Sequence, residues 1–426
     1  MRCHRKIGQI MNYHKLVLKI SVGLLLILIV GCYPSLSELE EIYIDEEFPV
    51  GQIAKVELPQ MLSLSQAQIA FCYYDQTKDP LYRNQEMKII SLDTMVIYDI
   101  TQSFLTGPFG ADLGCGEGIA WSPNGNFLLL GVGGLNGLVQ AEIGAEGNQI
   151  SEQAFLDLPR YTYYRGPYTL AWSPNGERLA FIGQSSRFPS VFLASKDGTQ
   201  VKQLTDSFTL PGVVSEPVWS HNSDKIAYVL PIPANGIGII DIDRGVVTEY
   251  NQDTVSQLSA GTDRPHGILP KQSIAWLPGD NLLLFLTNSE SADKDILWIM
   301  EADGSNLEQL YEGPIQQVTL SPDGKMLTMI IADGKRSKIQ ILHLEQNLYI
   351  RTVLDSMDWE LAKNGSVVFR DLNWSPDGSQ LVFSANPNGN FDLFLWDYQS
   401  EIVTQLTNTP ADETMPLWRP YMDTYK

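Results

Sequence analysis

Histidine is scarce in this sequence of 426 residues, which has five in all. His4 and His14 fall in the N-terminal leader, so only His221, His266 and His343 remain as candidate metal ligands. His221 falls in a predicted hairpin turn and His343 on a predicted strand, so we expect them to lie far apart, which excludes a shared histidine metal site. Only His266, in a long predicted loop, is placed to serve chemistry or binding. The sequence therefore predicts no metal and no cofactor.

A G-x-S-x-G motif, the turn that carries the serine nucleophile of α/β-hydrolases, is also missing. The partial match at 183–187 has no second glycine and falls in a predicted loop. The sequence ends six residues after Pro420, which leaves no room for a hydrolase domain. We therefore predict that the protein is not an enzyme.

Calcium loops are missing as well. Several Asp-Gly phrases lack the dense carboxylate spacing that a calcium loop requires, and we interpret them as hairpin turns. These phrases begin at Asp197, Asp303, Asp323 and Asp377.

Basic residues are outnumbered, with 29 lysines and arginines against 50 aspartates and glutamates and a net charge of −21. Removal of the predicted leader takes away five basic residues and no acidic ones, so the net charge becomes −26. Such a surface repels both nucleic acid and anionic lipid headgroups, since binding to either needs a basic surface. Nucleic acid is thus excluded as a partner, and a membrane contact has to come from a lipid anchor.

The N-terminal region has no apolar run long enough to span a bilayer. The run Ile20–Val30 has eleven residues, whereas a spanning helix needs about 20. It follows Lys15 and Lys19 and ends at Gly31-Cys32, a pattern that resembles a bacterial lipobox, in which the signal peptidase cuts before a cysteine that carries diacylglycerol. We predict lipidation of Cys32 and anchoring to a bacterial membrane on its extracytoplasmic face. An ordinary secretory signal with a chance cysteine is the alternative.

These features divide the chain into three predicted parts. Residues 1–31 form the signal peptide, with Met1 and Met11 both open as the start. Residues 32–60 are acidic and have little repeat character, so they are predicted to be a tether, and residues 61–426 form the globular domain. Of the two cysteines left in that domain, Cys72 and Cys115 could form a disulfide in an exported protein or could be buried thiols.

The globular part is built from a repeated phrase: an apolar residue, Trp, Ser, Pro, Asn or Asp, Gly, and a short apolar run. Successive copies are separated by 51, 47, 57, 44, 54 and 44 residues, and a recurrence of about 40–50 residues is typical of a radial repeat. The marker positions are Trp121, Trp172, Trp219, Trp276, Leu320, Trp374 and Trp418.

Each repeat predicts four short antiparallel strands. The Trp segment is a strand, Pro-Asn-Gly or Pro-Asp-Gly is a turn, and the apolar run that follows pairs with the first strand as a hairpin. A third strand, a turn and a fourth strand come next, for example in 191–205 and 296–311. Such units around an axis make an all-β protein, a β-propeller. The recurring tryptophans are predicted to lie in the core between blades.

The two ends of the domain decide the predicted number of blades. Residues 68–101 supply strands two, three and four without a first strand, and the last phrase, from Pro416, supplies a first strand alone. The fragments complete each other, which predicts seven four-stranded antiparallel blades closed by the N- and C-terminal strands. A six-bladed ring with an N-terminal addition is the alternative.

The repeat resembles that of the TolB-type β-propeller family. The resemblance rests on the phrase Trp374–Gly378 with its apolar run, and on Asp303-Gly304 leading to Gln309-Leu310, and it extends over roughly residues 65–420. This repeat occurs in the periplasmic translocation protein TolB, in the propeller of prolyl-oligopeptidase-like hydrolases and in lipoproteins, so it implies a fold and no single function. The lipobox, and the absence of a separate globular N-terminal domain, distinguish the chain from TolB itself.

Candidate binding residues fall in the long connections, because binding residues usually lie on irregular loops held by a rigid scaffold. One loop, 160–168, is rich in tyrosine and arginine, which are enriched at binding hot spots. A second, 259–271, carries Arg264 and His266, and a third, 106–118, is rich in glycine. Tyrosines that merely plug the channel mouth are the alternative. The predicted binding residues are Tyr161, Tyr163, Tyr164, Arg165, Tyr168, Arg264 and His266.

These observations together predict a non-catalytic, lipid-anchored scaffold that binds another envelope protein or a peptide. The long loops that join strand two to strand three, and one blade to the next, provide the predicted binding face. A propeller that binds carbohydrate or another small ligand is the alternative, followed by a degenerate relative of the prolyl-oligopeptidase-type propeller.

Overall fold

The computed structural model describes residues 67–75, 85–100, 119–131, 137–144, 150–157, 170–184, 189–205, 217–230, 236–250, 274–288, 294–334, 336–345, 348–357 and 367–420. Contacts divide the chain into two units, Met1–Phe48 and Pro49–Lys426, and every described residue belongs to the second. The described residues form strands and turns, and no helix that could cross a membrane occurs among them.

The strands are short, as expected for a fold with a turn every few residues. In chain order, the first fifteen are β1 (Gln68–Tyr74), β2 (Gln85–Ser91), β3 (Val96–Asp99), β4 (Ile119–Trp121), β5 (Phe127–Gly131), β6 (Gly137–Ile143), β7 (Ile150–Asp157), β8 (Leu170–Trp172), β9 (Arg178–Gln184), β10 (Pro189–Ser195), β11 (Val201–Gln203), β12 (Val218–Trp219), β13 (Lys225–Leu230), β14 (Gly236–Asp241) and β15 (Val246–Tyr250). The others are β16 (Ile274–Trp276), β17 (Leu282–Asn288), β18 (Asp295–Glu301), β19 (Glu308–Gly313), β20 (Ile315–Leu320), β21 (Met326–Asp333), β22 (Arg336–His343), β23 (Tyr349–Asp355), β24 (Phe369–Trp374), β25 (Gln380–Ala385), β26 (Asp392–Asp397), β27 (Val403–Gln405) and β28 (Asp412–Trp418).

These strands form seven four-stranded antiparallel sheets, the blades of a seven-bladed β-propeller. Blade 1 is β28-β1-β2-β3, blade 2 is β4–β7, blade 3 is β8–β11, blade 4 is β12–β15, blade 5 is β16–β19, blade 6 is β20–β23 and blade 7 is β24–β27. First strands of successive blades contact one another, as in β4 with β8 and β24 with β28, so the first strands are innermost. The predicted fold is confirmed.

Blade 1 closes the ring with strands from both ends of the domain. Strand β28 pairs with β1, which places Trp418 opposite Ile69 and Thr414 opposite Cys72. Past the strand, the Arg419 backbone N–H donates to the Gln68 carbonyl at 2.9 Å. The composite blade is as predicted, and the six-bladed alternative is wrong.

The repeated tryptophans pack between blades and also link them by hydrogen bonds. In four blades the indole Nε1–H donates to a carbonyl in the first strand of the preceding blade. These pairs are Trp121 to Leu417 at 3.3 Å, Trp219 to Ala171 at 3.1 Å, Trp276 to Val218 at 3.1 Å and Trp418 to Asn373 at 3.2 Å. Each acceptor directly precedes the tryptophan of its own blade, so the bond repeats with the sequence. A buried indole N–H needs such a partner.

The turn after each tryptophan is held by its own side chains. In blade 7 the Ser375 hydroxyl donates to Asp377 Oδ1 at 2.6 Å and accepts from the Gln380 N–H at 2.9 Å. Gly378 has φ +70°, a conformation that glycine adopts without strain. The Asp-Gly phrases are therefore hairpin turns, as predicted. The same serine-centred turn occurs at Ser122, Ser173 and Ser321.

The antiparallel order of each blade gives the ring two distinct faces. Turns between strands one and two, and three and four, lie on one face, which we call the tight-turn face. Connections between strands two and three, and between blades, lie on the other, the long-loop face, to which Asn386–Phe391 of blade 7 belongs.

Candidate binding face

The binding residues predicted from the sequence lie outside the described residues, as does Cys32. The strands on either side of them are described, however. Strand β7, the last of blade 2, ends at Asp157, which pairs with the first residue of β6. Strand β8, the first of blade 3, begins at Leu170. The segment with the five predicted tyrosine and arginine residues therefore connects two blades, and such connections are attached at the long-loop face. The segment with Arg264 and His266 is attached there too, between β15 and β16. The assignment of these residues to binding stays a prediction.

The described part of the long-loop face has an unusual region at blade 7. Its inner strand β24 is bulged, and so is the neighbouring inner strand β28 of blade 1. At the bulges, Asp371 has φ 60° and Met415 has φ 54°, and the Met415 N–H donates to Asp371 Oδ2 at 3.1 Å. Positive φ is costly for residues with a side chain and persists where the surroundings impose it, often at functional sites.

Around these bulges lies a mixed apolar and cationic surface, which we call the blade 7 patch. Its members are Met357, Val368, Arg370, Phe391 and Met415. Three of them are large apolar residues in contact with solvent, with exposed fractions of 59% for Met357, 39% for Val368 and 48% for Met415. The guanidinium carbon of Arg370 lies 3.5 Å from the ring centroid of Phe391, in a cation–π contact.

Hydrogen bonds make the patch continuous across three blades. From blade 6, the Ser356 hydroxyl next to Met357 accepts from the Ser337 N–H at 2.8 Å, and the Ser337 hydroxyl accepts from the Phe369 N–H at 3.4 Å. Toward blade 1, the Glu413 N–H donates to the Phe391 carbonyl at 2.7 Å. These bonds tie residues next to the patch to neighbouring strands, so the backbone of the patch is held by the scaffold.

Beneath the patch, Asp392 of β26 and Glu413 of β28 form a buried carboxyl pair. Their exposed fractions are 0% and 1%. Gln405 Nε2 donates to Asp392 Oδ2 at 3.1 Å, and the hydroxyls of Thr407 and Thr409 donate to Glu413. Burial, and then the Glu413 charge, raise the pKa of Asp392 to about 7, and burial raises the pKa of Glu413. The pair therefore resists double ionisation at the junction of blades 7 and 1.

Asp392→Asn is expected to make unfolding less sensitive to pH. The pKa of the Asp392 carboxyl is about 7 in the folded protein and about 3.9 in the unfolded chain. Below about pH 4 the carboxyl is protonated in both states. As the pH rises from about 4 through 7, the unfolded chain loses this proton first, so the folded wild type loses stability. Asparagine cannot ionise, so the variant should gain stability relative to wild type between pH 5 and pH 8. One pKa unit corresponds to about 1.4 kcal/mol, and we expect a gain of at least that order in urea unfolding.

The matched control for this experiment is Asp303→Asn. Hydrogen bonds from Ser305 lower the pKa of Asp303, so its contribution is already complete at pH 5 and should not change up to pH 8. Parallel pH profiles for wild type and Asp392→Asn would contradict a carboxyl pair that shares a proton.

An equivalent aspartate in blade 5 shows what this position does structurally. Asp295 begins the third strand of its blade, as Asp392 does, and accepts a hydrogen bond from the Ile315 backbone N–H in the first strand of blade 6. Burial raises the pKa of Asp295 to about 6. Aspartates at this position thus contribute hydrogen bonds between one blade and the next.

The histidines of the described residues serve the fold. His221 Nδ1 lies 2.9 Å from Asp280 Oδ1, and Asp280 also accepts from the backbone N–H groups of His221 and Asn222, which joins the turns of blades 4 and 5. His343 of blade 6 stacks on Tyr349, with ring centroids 5.8 Å apart. The two histidines are on different blades, as predicted. Among the described residues no group of three or more His, Cys, Asp or Glu side chains could hold a metal ion.

Cys72, in the middle of β1, is disulfide-bonded. Cys115 lies outside the described residues. The buried-thiol interpretation of Cys72 is therefore wrong, and its pairing with Cys115 stays a prediction.

Comparison with known proteins supports the fold and does not identify a function. No protein-family model matches the chain. An oligogalacturonate lyase in complex with manganese superposes with a TM-score of 0.54 at 12% identity, over 73% of this chain and 82% of the lyase. TolB from Acinetobacter baumannii gives 0.44 at 12% identity, over 79% and 80%. Dipeptidyl peptidase 4 from Porphyromonas gingivalis gives 0.45 at 14% identity, over 73% and 49%.

The chain has the β-propeller fold, and solved TolB structures are among its structural neighbours. The prediction of a β-propeller is confirmed. At 12–14% identity the likeness shows no more than that, and the three named proteins differ in what they do.

Sequence analysis missed the blade 7 patch. Its only signal was the pair Arg370 and Asp371, two charged residues in the strand that ends at Trp374. The carboxyl pair gave no signal, because Asp392 and Glu413 resemble surface residues until packing buries them.

Proposed function

We propose that this propeller is a non-catalytic scaffold on the outer side of a bacterial membrane, anchored by lipid at Cys32. It binds another envelope protein or a peptide through its long-loop face. The observation that carries this proposal is the blade 7 patch, in which Met357, Val368 and Met415 are exposed and Arg370 stacks on Phe391.

The composition of the patch supports a macromolecular partner. Methionine, aromatic residues and arginine are enriched at protein interfaces, and flexible methionines adapt to a partner's surface. The tyrosine- and arginine-rich segment 160–168 is attached to the same face and has the same chemical character. Together they would provide apolar anchors within an otherwise acidic surface.

Two observations favour binding over acid–base catalysis for the described residues. The carboxyl pair of Asp392 and Glu413 is almost fully buried, so a substrate has no access to it. The two described histidines are on separate blades and are engaged with Asp280 and Tyr349. A general acid or base has to reach its substrate within hydrogen-bonding distance.

Photo-crosslinking in intact cells tests which face engages the partner. A photoreactive residue placed at Val368 or Met357 should give one specific adduct, identified by mass spectrometry. The same residue at Asn126 or Lys325, on the tight-turn face, should not. The proposal fails if the adduct forms from the tight-turn positions alone.

Substitutions then measure what each part contributes to the affinity for the identified partner. Arg370→Ala, and the pair Tyr164→Ala with Arg165→Ala, should each weaken binding by roughly 1–4 kcal/mol if these side chains are hot spots. Thermal stability should change little for the loop pair, because exposed loop substitutions are mild. Asn126→Ala and Lys325→Ala are the controls and should leave affinity unchanged. Unchanged affinity in all the long-loop variants would contradict the proposed face.

A further inference from the structure

The buried carboxyl pair of Asp392 and Glu413 is joined directly to the surface of the blade 7 patch. Asp392 begins β26, the third strand of blade 7, and Glu413 lies near the start of β28, the first strand of blade 1. Phe391, the aromatic residue of the patch, comes immediately before Asp392. The pair therefore lies between the two segments that support one edge of the patch.

The contact between the two carboxyl groups requires a proton. Asp392 and Glu413 are hydrogen-bonded to each other. Ionised carboxylates only accept hydrogen bonds, so one of the two groups has to be protonated in order to donate. With that proton in place the contact holds blades 7 and 1 together. Without it, two buried like charges repel each other across the junction.

Lys88 of β2 is a cation close to the pair. Burial raises the pKa of Glu413, and the charge of Lys88 acts in the opposite direction. Lys88 Nζ, however, lies 3.0 Å from Glu86 Oε2 and 3.2 Å from the centroid of the Tyr73 ring. Asp412, which precedes Glu413 on β28, adds a further carboxyl group. Lys88 therefore offsets only part of the repulsion within a doubly ionised pair.

On the blade 7 side, Arg370 and Asp371 of β24 are paired with each other. Arg370 Nε lies 3.3 Å from Asp371 Oδ2, and the guanidinium rests on the ring of Phe391. Asp371 Oδ2 also accepts from the Met415 N–H at 3.1 Å. These contacts keep Arg370 in the patch, so its charge is already matched by that of Asp371.

The position of Phe391 depends on the same junction. Its N–H donates to Asp412 Oδ1 at 2.8 Å, and its carbonyl accepts from the Glu413 N–H at 2.7 Å. One position earlier, Asn390 Nδ2 donates to the Thr409 carbonyl at 2.7 Å. All three bonds run from blade 7 to the segment that leads into β28. A separation of the two carboxyl groups therefore lengthens or breaks them.

We propose that the protonation state of Asp392 and Glu413 switches the blade 7 patch between a held and a released arrangement. While the pair holds a proton, Phe391 is fixed and supports Arg370, so the patch is ready to bind. When both groups are ionised, repulsion parts the two segments and releases the ring, and binding is weaker. This proposal rests on the function proposed for the long-loop face, and it makes binding stronger in acidic than in alkaline surroundings.

The range of pH over which the switch responds follows from the two states of the junction. Burial, and then the Glu413 charge, hold the pKa of Asp392 at about 7 in the closed junction, whereas a solvated carboxyl has a pKa of about 4. The open junction therefore gains stability relative to the closed one as the pH rises from about 4 to about 7. Above that range both states are ionised, and the balance no longer changes.

Hydrogen exchange followed by mass spectrometry tests the switch without any partner. After correction for the intrinsic pH dependence of exchange, protection of 390–393 and 409–414 should fall at least about tenfold between pH 5 and pH 8, since tenfold corresponds to one pKa unit. In Asp392→Asn, and independently in Glu413→Gln, protection should be equal at the two pH values. The turn at 375–380 of the same blade is the internal control and should keep its protection. Constant protection in the wild type, or a wild-type loss in both variants, would overturn the proposal.

Lys88→Met tests the electrostatic origin of the switch. Removing this cation lets the pair keep its proton to a higher pH, so the loss of protection should extend to higher pH than in the wild type. Lys196→Met, at a lysine whose side chain is 56% exposed and paired with Glu177, is the matched control and should not move the profile. A shift to lower pH in Lys88→Met would contradict a switch based on repulsion between carboxylates.

Crosslinking from Val368 then shows whether the switch controls binding. The yield of the partner adduct should be higher at pH 5.5 than at pH 8 in the wild type and equal at both in Asp392→Asn. Equal yields in the wild type would show that the pair does not regulate the patch and would overturn the proposal. Because the exchange experiment uses no partner, it decides the state of the junction even if the long-loop face proves not to bind, which distinguishes the two failures.

Discussion

Truncation after Thr409 is expected to open the ring and unfold blade 1. The truncation removes β28, the inner strand of that blade, and with it Trp418, which is 4% exposed and packs against both blade 7 and β1. Removing one buried tryptophan side chain typically costs about 3–5 kcal/mol, and here a whole row of strand hydrogen bonds is lost too. Calorimetry should show a lower and broader transition than that of the full chain.

A single residue accounts for much of this closure. Arg419, 4% exposed, directs its guanidinium into blades 1 and 2. It donates to Gly125 O at 2.6 Å, Gln68 Oε1 at 2.6 Å, Gly144 O at 2.8 Å and Ile143 O at 2.9 Å. Burial lowers the pKa of Arg419 to about 10, so it stays charged at neutral pH and its hydrogen bonds are charge-assisted.

Arg419→Ala therefore removes the hydrogen bonds of the guanidinium but leaves strand β28 in place. It leaves several buried acceptors unsatisfied, and each costs about 1–3 kcal/mol, so we expect the free energy of unfolding to fall by roughly 3 kcal/mol or more. Arg419→Lys should recover only part of this, because an ammonium group lacks the planar fork. Arg244→Ala, at an arginine with 81% of its side chain exposed, is the control and should change little. If the truncated chain melted like the full chain, and Arg419→Ala did not change the free energy of unfolding, β28 would be dispensable.

Cys32→Ser is expected to abolish lipid attachment completely. The thiol of Cys32 is the only group of the predicted lipobox that can form the thioether to diacylglycerol, and serine does not replace it. Metabolic labelling with a radioactive fatty acid should mark the wild-type protein in the membrane fraction. The variant should be unlabelled and should either remain as precursor or leave the membrane, since no basic surface would hold it there.

Cys3→Ser is the matched control, since it changes a cysteine of the same leader outside the lipobox. It should be labelled and retained like wild type. Continued labelling and membrane retention of Cys32→Ser would contradict both the lipobox and the anchored scaffold. The fold would be unaffected by that outcome, because it does not depend on the leader.

The hairpin that begins at Trp374 shows what can be read from sequence alone. Its bonds join residues at most five positions apart, such as Ser375 with Gln380, so the phrase itself specifies the turn. Repetition of that phrase predicts the blades, and the incomplete repeats at the two ends predict the composite blade 1. Local hydrogen bonding and hydrophobic alternation therefore determined the fold.

The sites, in contrast, depend on contacts between blades. Arg419 bonds to Gly125 across 294 positions. Only glycine fits at position 125, because a β-carbon there would lie 2.4 Å from the Pro420 carbonyl oxygen. The buried carboxyl pair of Asp392 and Glu413 likewise exists only where blades 7 and 1 meet. Trp172 has the same sequence context as its counterparts, yet it lines an open cleft between blades 2 and 3. Sequence patterns determine which residues form a blade, but the gap between two blades depends on how all their side chains pack, and only the tertiary structure decides it.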